Sequence, residues 1–414
     1  EIFHFDWIDD FSAARNESLK YANREWVLIL DADEILDEES ANELLQIVKT
    51  KRNTCAFELR VISELGSINY NEARVIRFFK NDRSIFFENR IHEQITKSLS
   101  KIKAKVLRSN VKIIHDGYNE KNVDQKAKQS RNIQLLKLML KEQPNYYYWP
   151  YSLGVSYLAI NDNKNGLKYL NKSLDDSLHP NLKAGILNLI AGVYKSDKKL
   201  HETINIAKRS AKMSKNQFFA YSLLYDSYNE LKDFNNSAII IDKLISIYPN
   251  LEKNGSDLNS DNFLPLNNLK IMKGLSLYHL KKLDKSKEIF EEVFNDLNLK
   301  YRKKTLDKIH LLSYQEVIKN LVGLSRDTND AHSVVKYLNE FLLLFPDDFD
   351  AYKLMGEAYL IINNNSNALK SYLKAYSIKN DDFEVIKKIT AIFTMMGNQK
   401  KAEEWIIKMS EHSQ

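Results

Sequence analysis

Trp26-Val27-Leu28-Ile29-Leu30-Asp31-Ala32-Asp33-Glu34 is the stretch on which the reading of this 414-residue chain turns. Five apolar residues in an unbroken row have the pattern of a buried strand, and the row ends abruptly in acid. Two carboxylates one residue apart at the carboxyl end of a strand can share a hard divalent cation, Mg2+ or Mn2+. That end is also where open α/β sheets bind their ligands. A bare Asp-x-Asp would suit the capping of a following helix equally well. The apolar run ahead of it strengthens the metal reading.

Working outward, helices and strands alternate up to about residue 116. Asp10 can cap a helix over 11–22, and a second helix over 38–49 is capped near Asp37, with Leu44, Leu45, Ile47 and Val48 on its inner side. Residues 55–62 and 72–79 alternate like half-buried strands, and 103–108 and 111–115 read as two further short ones. Arg74 and Arg77 lie three apart on a strand, hence on opposite faces, so at most one can face a site at its end. Lys97, Lys101, Lys103, Lys105 and Arg108 read as the solvated face of a hairpin.

Beyond residue 122 strand signals almost vanish and the text repeats. Gly154 is followed three positions later by Tyr157, and the phrase returns at Gly356 and Tyr359, at Ala191 and Tyr194, at Tyr225 to Tyr228 and at Leu275 to Tyr278. Ala368, Tyr372, Ala375, Pro346 and Ala402 continue it, Pro249 closes a unit, and residues 254–268 read as an inserted polar loop. This spacing resembles the 34-residue tetratricopeptide unit, a helical hairpin that cannot bury its own face and must stack on neighbours. Six or seven units are expected. Only 11 Gly and 6 Pro occur in the chain, which fits long helices and few turns.

The net charge of +6 is small for this length and does not call for nucleic acid. A single cysteine, Cys55, excludes an intrachain disulfide. No apolar run reaches the roughly 20 residues of a membrane span, and the start lacks the layout of a signal peptide. A soluble, cytoplasmic protein is expected.

Residues 5–16 (Phe-Asp-Trp-Ile-Asp-Asp-Phe-Ser-Ala-Ala-Arg-Asn) together with 26–34 resemble the middle of family 2 glycosyltransferases of the GT-A fold. The resemblance continues through Arg74-Val-Ile-Arg77, Arg90-Ile-His92-Glu93, Ile114-His115-Asp-Gly117-Tyr118 and Arg131-Asn132, covering residues 1 to about 135. Within the family it lies nearest bacterial members that append tetratricopeptide-like repeats, including peptide S-glycosyltransferases of the sublancin type. The fold implied is α/β followed by all-α. Residues 1–118 would be the C-terminal part of a GT-A (Rossmann-like) domain, 119–148 a connecting helix, and 149–414 an α-solenoid of tetratricopeptide-like hairpins.

The resemblance implies roles. Asp31 and Asp33, with His115 as third ligand, would hold Mg2+ or Mn2+ against the diphosphate of a nucleotide sugar, first a UDP-sugar. Glu93 would be the general base of an inverting transfer, with His92 its rival; in an extended segment the two face opposite ways. Asp10 and Arg15, with Asp31, would lie on the nucleotide side, Arg15 reaching a phosphate or holding Asp10; capping plus an intrahelical ion pair is the plainer reading of those two. The acceptor would be a peptide or protein laid along the repeats, with a glycan or lipid-linked acceptor as the enzymatic alternative, and the repeats could also pair two chains. The family's opening strand with its Asn-Glu turn, and a second strand carrying an Asp, have no counterpart before Phe5. The resemblance thus puts about 80 residues of catalytic domain ahead of Glu1. Without them, the non-enzymatic reading is a repeat scaffold with a vestigial transferase half.

Overall fold

The computed structural model describes residues 2–50, 55–65, 69–115, 125–258 and 260–411. By packing they fall into two compact units, residues 1–264 and 265–414.

The first unit opens with α1 (Phe11–Lys20), β1 (Trp26–Leu28), β2 (Glu34–Leu36), α2 (Glu38–Thr50), β3 (Ala56–Leu65), β4 (Asn69–Lys80), α3 (Thr96–Lys101), β5 (Val106–His115) and α4 (Gln125–Glu142). The strands form one mixed sheet in the order β1-β4-β3-β5-β2, in which β3 and β5 run parallel and the other neighbours antiparallel. From Trp26 to Ile29 the apolar run has packing on both sides, while Leu30, 40% exposed, lies past the end of β1. Trp26 and Leu28 pack with Leu44, Ile47 and Phe57 on the α2 face. Val27 and Ile29 pack with Leu19, Phe79, Ile95 and Leu99 on the face of α1 and α3. Asp10 caps α1 by accepting from the Ala13 N–H at 3.0 Å, and Asp37 accepts from the Ser40 N–H at 2.7 Å at the start of α2.

Four local readings are corrected. Leu45 is 57% exposed, because only the stripe of Leu44, Ile47 and Val48 meets the sheet. The two short strands are one, β5, since a register shift against β3 absorbs the polar Ser109 and Asn110 between them. The supposed basic hairpin does not exist: Lys97 and Lys101 sit on α3 and Arg108 on β5. Residues 89–94 are not extended but form a tight loop closed by the Glu88–Gln94 bridge, with Asn89 and His92 at positive φ.

The same unit continues through helical pairs α5 (Tyr148–Ala159) with α6 (Asn163–Ser173), α7 (Pro180–Ser196) with α8 (Leu200–Met213), and α9 (Phe219–Glu230) with α10 (Phe234–Asn254). Pro249 lies inside α10 rather than closing a unit. Its missing N–H is tolerated because the buried Tyr248 and Leu251 hold the helix in place on either side. The expected polar loop contains a strand, β6 (Ser260–Phe263), which pairs antiparallel with residues 70–73 of β4.

The second unit consists of four more pairs: α11 (Leu266–His279) with α12 (Leu283–Arg302), α13 (Lys308–Asp327) with α14 (Ala331–Leu344), α15 (Phe349–Ile361) with α16 (Asn365–Ile378), and α17 (Phe383–Met395) with α18 (Gln399–Glu411). The small residues of the repeated phrase mark close helix contacts. A Cβ placed on Gly274 would lie 2.4 Å from the Phe290 ring, and one on Gly356 would lie 2.7 Å from Tyr372; in the first unit one on Gly154 would meet Leu170 at 2.7 Å. Among the described residues no helix is long and apolar enough to cross a membrane.

Candidate active site

The apolar run ends in a tight turn. The Glu34 N–H donates to the Asp31 carbonyl at 3.0 Å, and the Asp31 N–H donates to Glu34 Oε2 at 2.8 Å. This closure turns the Asp31 side chain toward α1 and β4. Arg15, in the second turn of α1, donates from its terminal nitrogen to Asp31 Oδ1 at 2.9 Å and from Nε to Glu93 Oε1 at 2.5 Å. Arg77 on β4 donates to Asp31 Oδ2 and to Glu34 Oε1, both at 3.0 Å.

Five charged side chains from four separate segments therefore converge, two guanidiniums among three carboxylates. Burial works against the ionised Asp31, and the attraction of Arg77 and Arg15 outweighs it, holding the carboxyl below the usual aspartate range. Burial likewise works against the charge on Arg15, but Glu93 and Asp31 prevail and raise its pKa above the ordinary value. Glu34 is the most enclosed member, with its side chain 3% exposed.

Sequence reasoning named Asp31, Arg15 and Glu93, and the fold brings these three together. Arg15 pairs with Asp31 and Glu93, not with Asp10, whose carboxylate is used by the start of α1 through Ala13 and the Ser12 hydroxyl. Of the two arginines on β4, Arg77 faces the cluster, while Arg74 donates to the Ser109 carbonyl of β5. Glu34 was missed as a site residue. Its signal was present in its place three residues after Asp31, where a side chain can reach back to the turn's own N–H. His92 is exposed, and its ring meets Tyr148 edge-on.

The donor set suits a hard cation in kind. Each Asp31 oxygen accepts one guanidinium hydrogen bond and keeps a second lone pair, the Asp31 side chain is 41% exposed, and Asp33 is exposed in the turn. Among the described residues no group of three or more His, Cys, Asp or Glu is arranged to hold an ion. His115 ends β5 opposite Glu34 in the register with β2; its side chain, like the Asp-Gly-Tyr phrase after it, lies outside the described residues.

Residues 1–119 match the family described as glycosyl transferase family 2. The SPbeta prophage-derived glycosyltransferase SunS of Bacillus subtilis (strain 168) is 26% identical over 179 residues, 42% of this chain and 42% of the relative. A TPR repeat-containing protein of Synechococcus elongatus is 30% identical over 180 residues, 42% of this chain and 44% of the relative. The chain thus matches less than half the length of these relatives. A solved tetratricopeptide repeat protein from Parabacteroides merdae is 12% identical and covers 65% of this chain and 94% of its own, with a TM-score of 0.38, too loose a likeness to carry an argument. Residues 1–119 are a family 2 glycosyltransferase domain, and TPR-like helical repeats follow it in the same chain.

Proposed function

We propose that the protein is a metal-dependent, inverting glycosyltransferase that moves a hexose from a nucleotide sugar, in the first instance a UDP-sugar, to a peptide or protein acceptor. The observation that carries this reading is the convergence of Asp31, Glu34, Arg15, Arg77 and Glu93 inside the family 2 domain.

Asp31 and Asp33, with His115 as third ligand, would hold Mg2+ or Mn2+. Bound there, the cation would supply positive charge for the departing nucleoside diphosphate. Arg77 and Arg15 keep Asp31 ionised and fixed. Glu93 is the base in this reading. Its Oε1 accepts from Arg15, and no hydrogen bond to Oε2 occurs among the described residues, so Oε2 is left to receive a proton. The acceptor oxygen, nitrogen or sulfur forms its bond to the anomeric carbon as the carbon–diphosphate bond breaks on the opposite side, and its proton passes to Glu93.

Differential scanning fluorimetry with UDP and Mn2+ tests the donor side. We expect a higher melting temperature for the parent protein and no shift for Asp33→Ala, whose exposed side chain makes it a gentle change to the fold. Absence of a shift in the parent protein would sink the proposed site. For Glu93→Gln the expectation is a retained shift with transfer reduced by about 100-fold or more, measured with labelled UDP-hexoses. Full turnover by that variant would acquit Glu93.

A further inference from the structure

The loop that carries Glu93 is held along one side by α1. The Phe11 N–H donates to the Arg90 carbonyl at 2.8 Å. Asn16 grips the backbone of Phe87 with both ends of its carboxamide: Oδ1 accepts from the Phe87 N–H at 2.7 Å, and Nδ2 donates to the Phe87 carbonyl at 2.9 Å. Next to Asn16 in sequence, Arg15 places its guanidinium 5.8 Å from the centroid of the Phe87 ring and reaches both Glu93 and Asp31. Two backbone hydrogen bonds between Glu88 and Gln94, at 3.0 and 3.1 Å, close the loop around Glu93.

The two carboxylates depend on Arg15 unequally. Asp31 has a second guanidinium, since Arg77 donates to its other oxygen at 3.0 Å, and Glu34 closes its turn. Glu93 has Arg15 alone: among the described residues no other group hydrogen-bonds its side chain. A free glutamate side chain moves among several staggered rotamers, whereas a base must stay within hydrogen-bond reach of the proton it takes. The planar guanidinium offers what a flexible ammonium does not, a fixed direction between two acids. Its Nε edge, which can grip a phosphate through two parallel bonds, is here taken by the two carboxylates.

We infer that Arg15 and Asn16 are positioning residues for the proposed base. Asn16 fixes the loop at Phe87, and Arg15 fixes the Glu93 carboxylate within it, with Asp31 as the anchor of the guanidinium. The inference rests on the transferase reading given above, and it gives Arg15 a role other than contact with a phosphate.

Arg15→Gln and Asn16→Ala test it by three measurements; Gln can still donate one hydrogen bond, which spares the fold. Without ligand, amide exchange across residues 87–94 should quicken severalfold in both variants, because each loses a tether of the loop. The melting shift with UDP and Mn2+ should match the parent's, since Asp31 keeps Arg77. With water as acceptor, kcat for release of UDP from UDP-hexoses should fall by about 100-fold in Arg15→Gln, the cost of a group misplaced by about 1 Å, and by about tenfold in Asn16→Ala. The KM for the UDP-hexose should not change. Loss of the melting shift in Arg15→Gln would put the guanidinium on the diphosphate and overturn the inference. Loop exchange or kcat equal to the parent's overturns it for the residue concerned. A parent protein that neither shifts nor releases UDP removes instead the transferase reading, and this inference only through it.

Discussion

Removing the Arg77 guanidinium would leave Glu34, 3% exposed, with no cation beside it and only the Asp31 N–H to satisfy it. Breaking one side of such an enclosed pair costs about 3–5 kcal/mol, because the remaining charge stays buried. We therefore expect Arg77→Ala to lower unfolding free energy by about 3 kcal/mol in urea titrations at neutral pH. The effect has a pH signature. The folded-state pKa of Asp31 lies below its unfolded value, so its contribution is complete above the ordinary aspartate value, near 3.9, and is lost as pH falls through the lowered folded value. Arg77 is the larger of the two attractions on Asp31, so the stability gap between parent and variant should narrow below about pH 3.9. A gap that stays constant through that range would show that Asp31 is not coupled to Arg77. The facing of Arg77 could be narrowed to one of two arginines from strand alternation. Its bridging of Asp31 and Glu34 could not, because that depends on a turn and a strand far apart in sequence.

At the scale of the helical pair, one contact recurs. Gly154 faces Leu170, Gly274 faces Phe290 and Gly356 faces Tyr372, the same offset of sixteen residues each time. The phrase was legible because stacking demands it: a missing Cβ on the first helix admits a large side chain from the second. The sign of a glycine substitution should follow this geometry. Gly356→Ala puts a methyl 2.7 Å from the fully buried Tyr372 ring and should cost about 1–3 kcal/mol. Gly323→Ala, on α13 with nothing within 4 Å, should gain about 0.5–1 kcal/mol from helix propensity. Guanidinium denaturation of both variants checks the pair, and equal effects would contradict the packing. The turns between paired helices explain how the chain manages with so few glycines. Asn161, Lys198, Lys232, Lys281, Asn329 and Asn363 take the positive-φ position there, and Asp162, Asp233, Asp330 and Asn364 then cap the following helix.

For the larger unit of residues 1–264, the unexpected element is β6. It comes from the repeat region of the sequence, yet it extends β4 of the N-terminal mixed sheet, and Phe263, 4% exposed, packs near Phe218 with ring centroids 5.8 Å apart. Phe263→Ala should destabilise this unit by about 3 kcal/mol and quicken amide exchange in β4. Protection of β4 equal to that of the parent protein would show that the added strand carries no stability. Three polar residues and a single phenylalanine gave no sign of this pairing. A strand that short acquires its identity from the edge it meets, not from its own propensity.

What the sequence determined by itself is what periodicity and local chemistry can encode. It set the buried run before Asp31, the capping of α1 and α2, the small-against-large contacts of the helical pairs, and the family 2 character of the first 119 residues. Tertiary structure alone decided which charges share a site and in what geometry. Arg15 could have held Asp10, but it spans Asp31 and Glu93; the loop at 89–94 could have been extended, but it folds tightly and packs with α4 and α5. The physical reason is the same in each case. A backbone pattern is repaid within a few residues, whereas a buried charge or an open strand edge is satisfied by whichever partner the folded chain brings within about 3 Å.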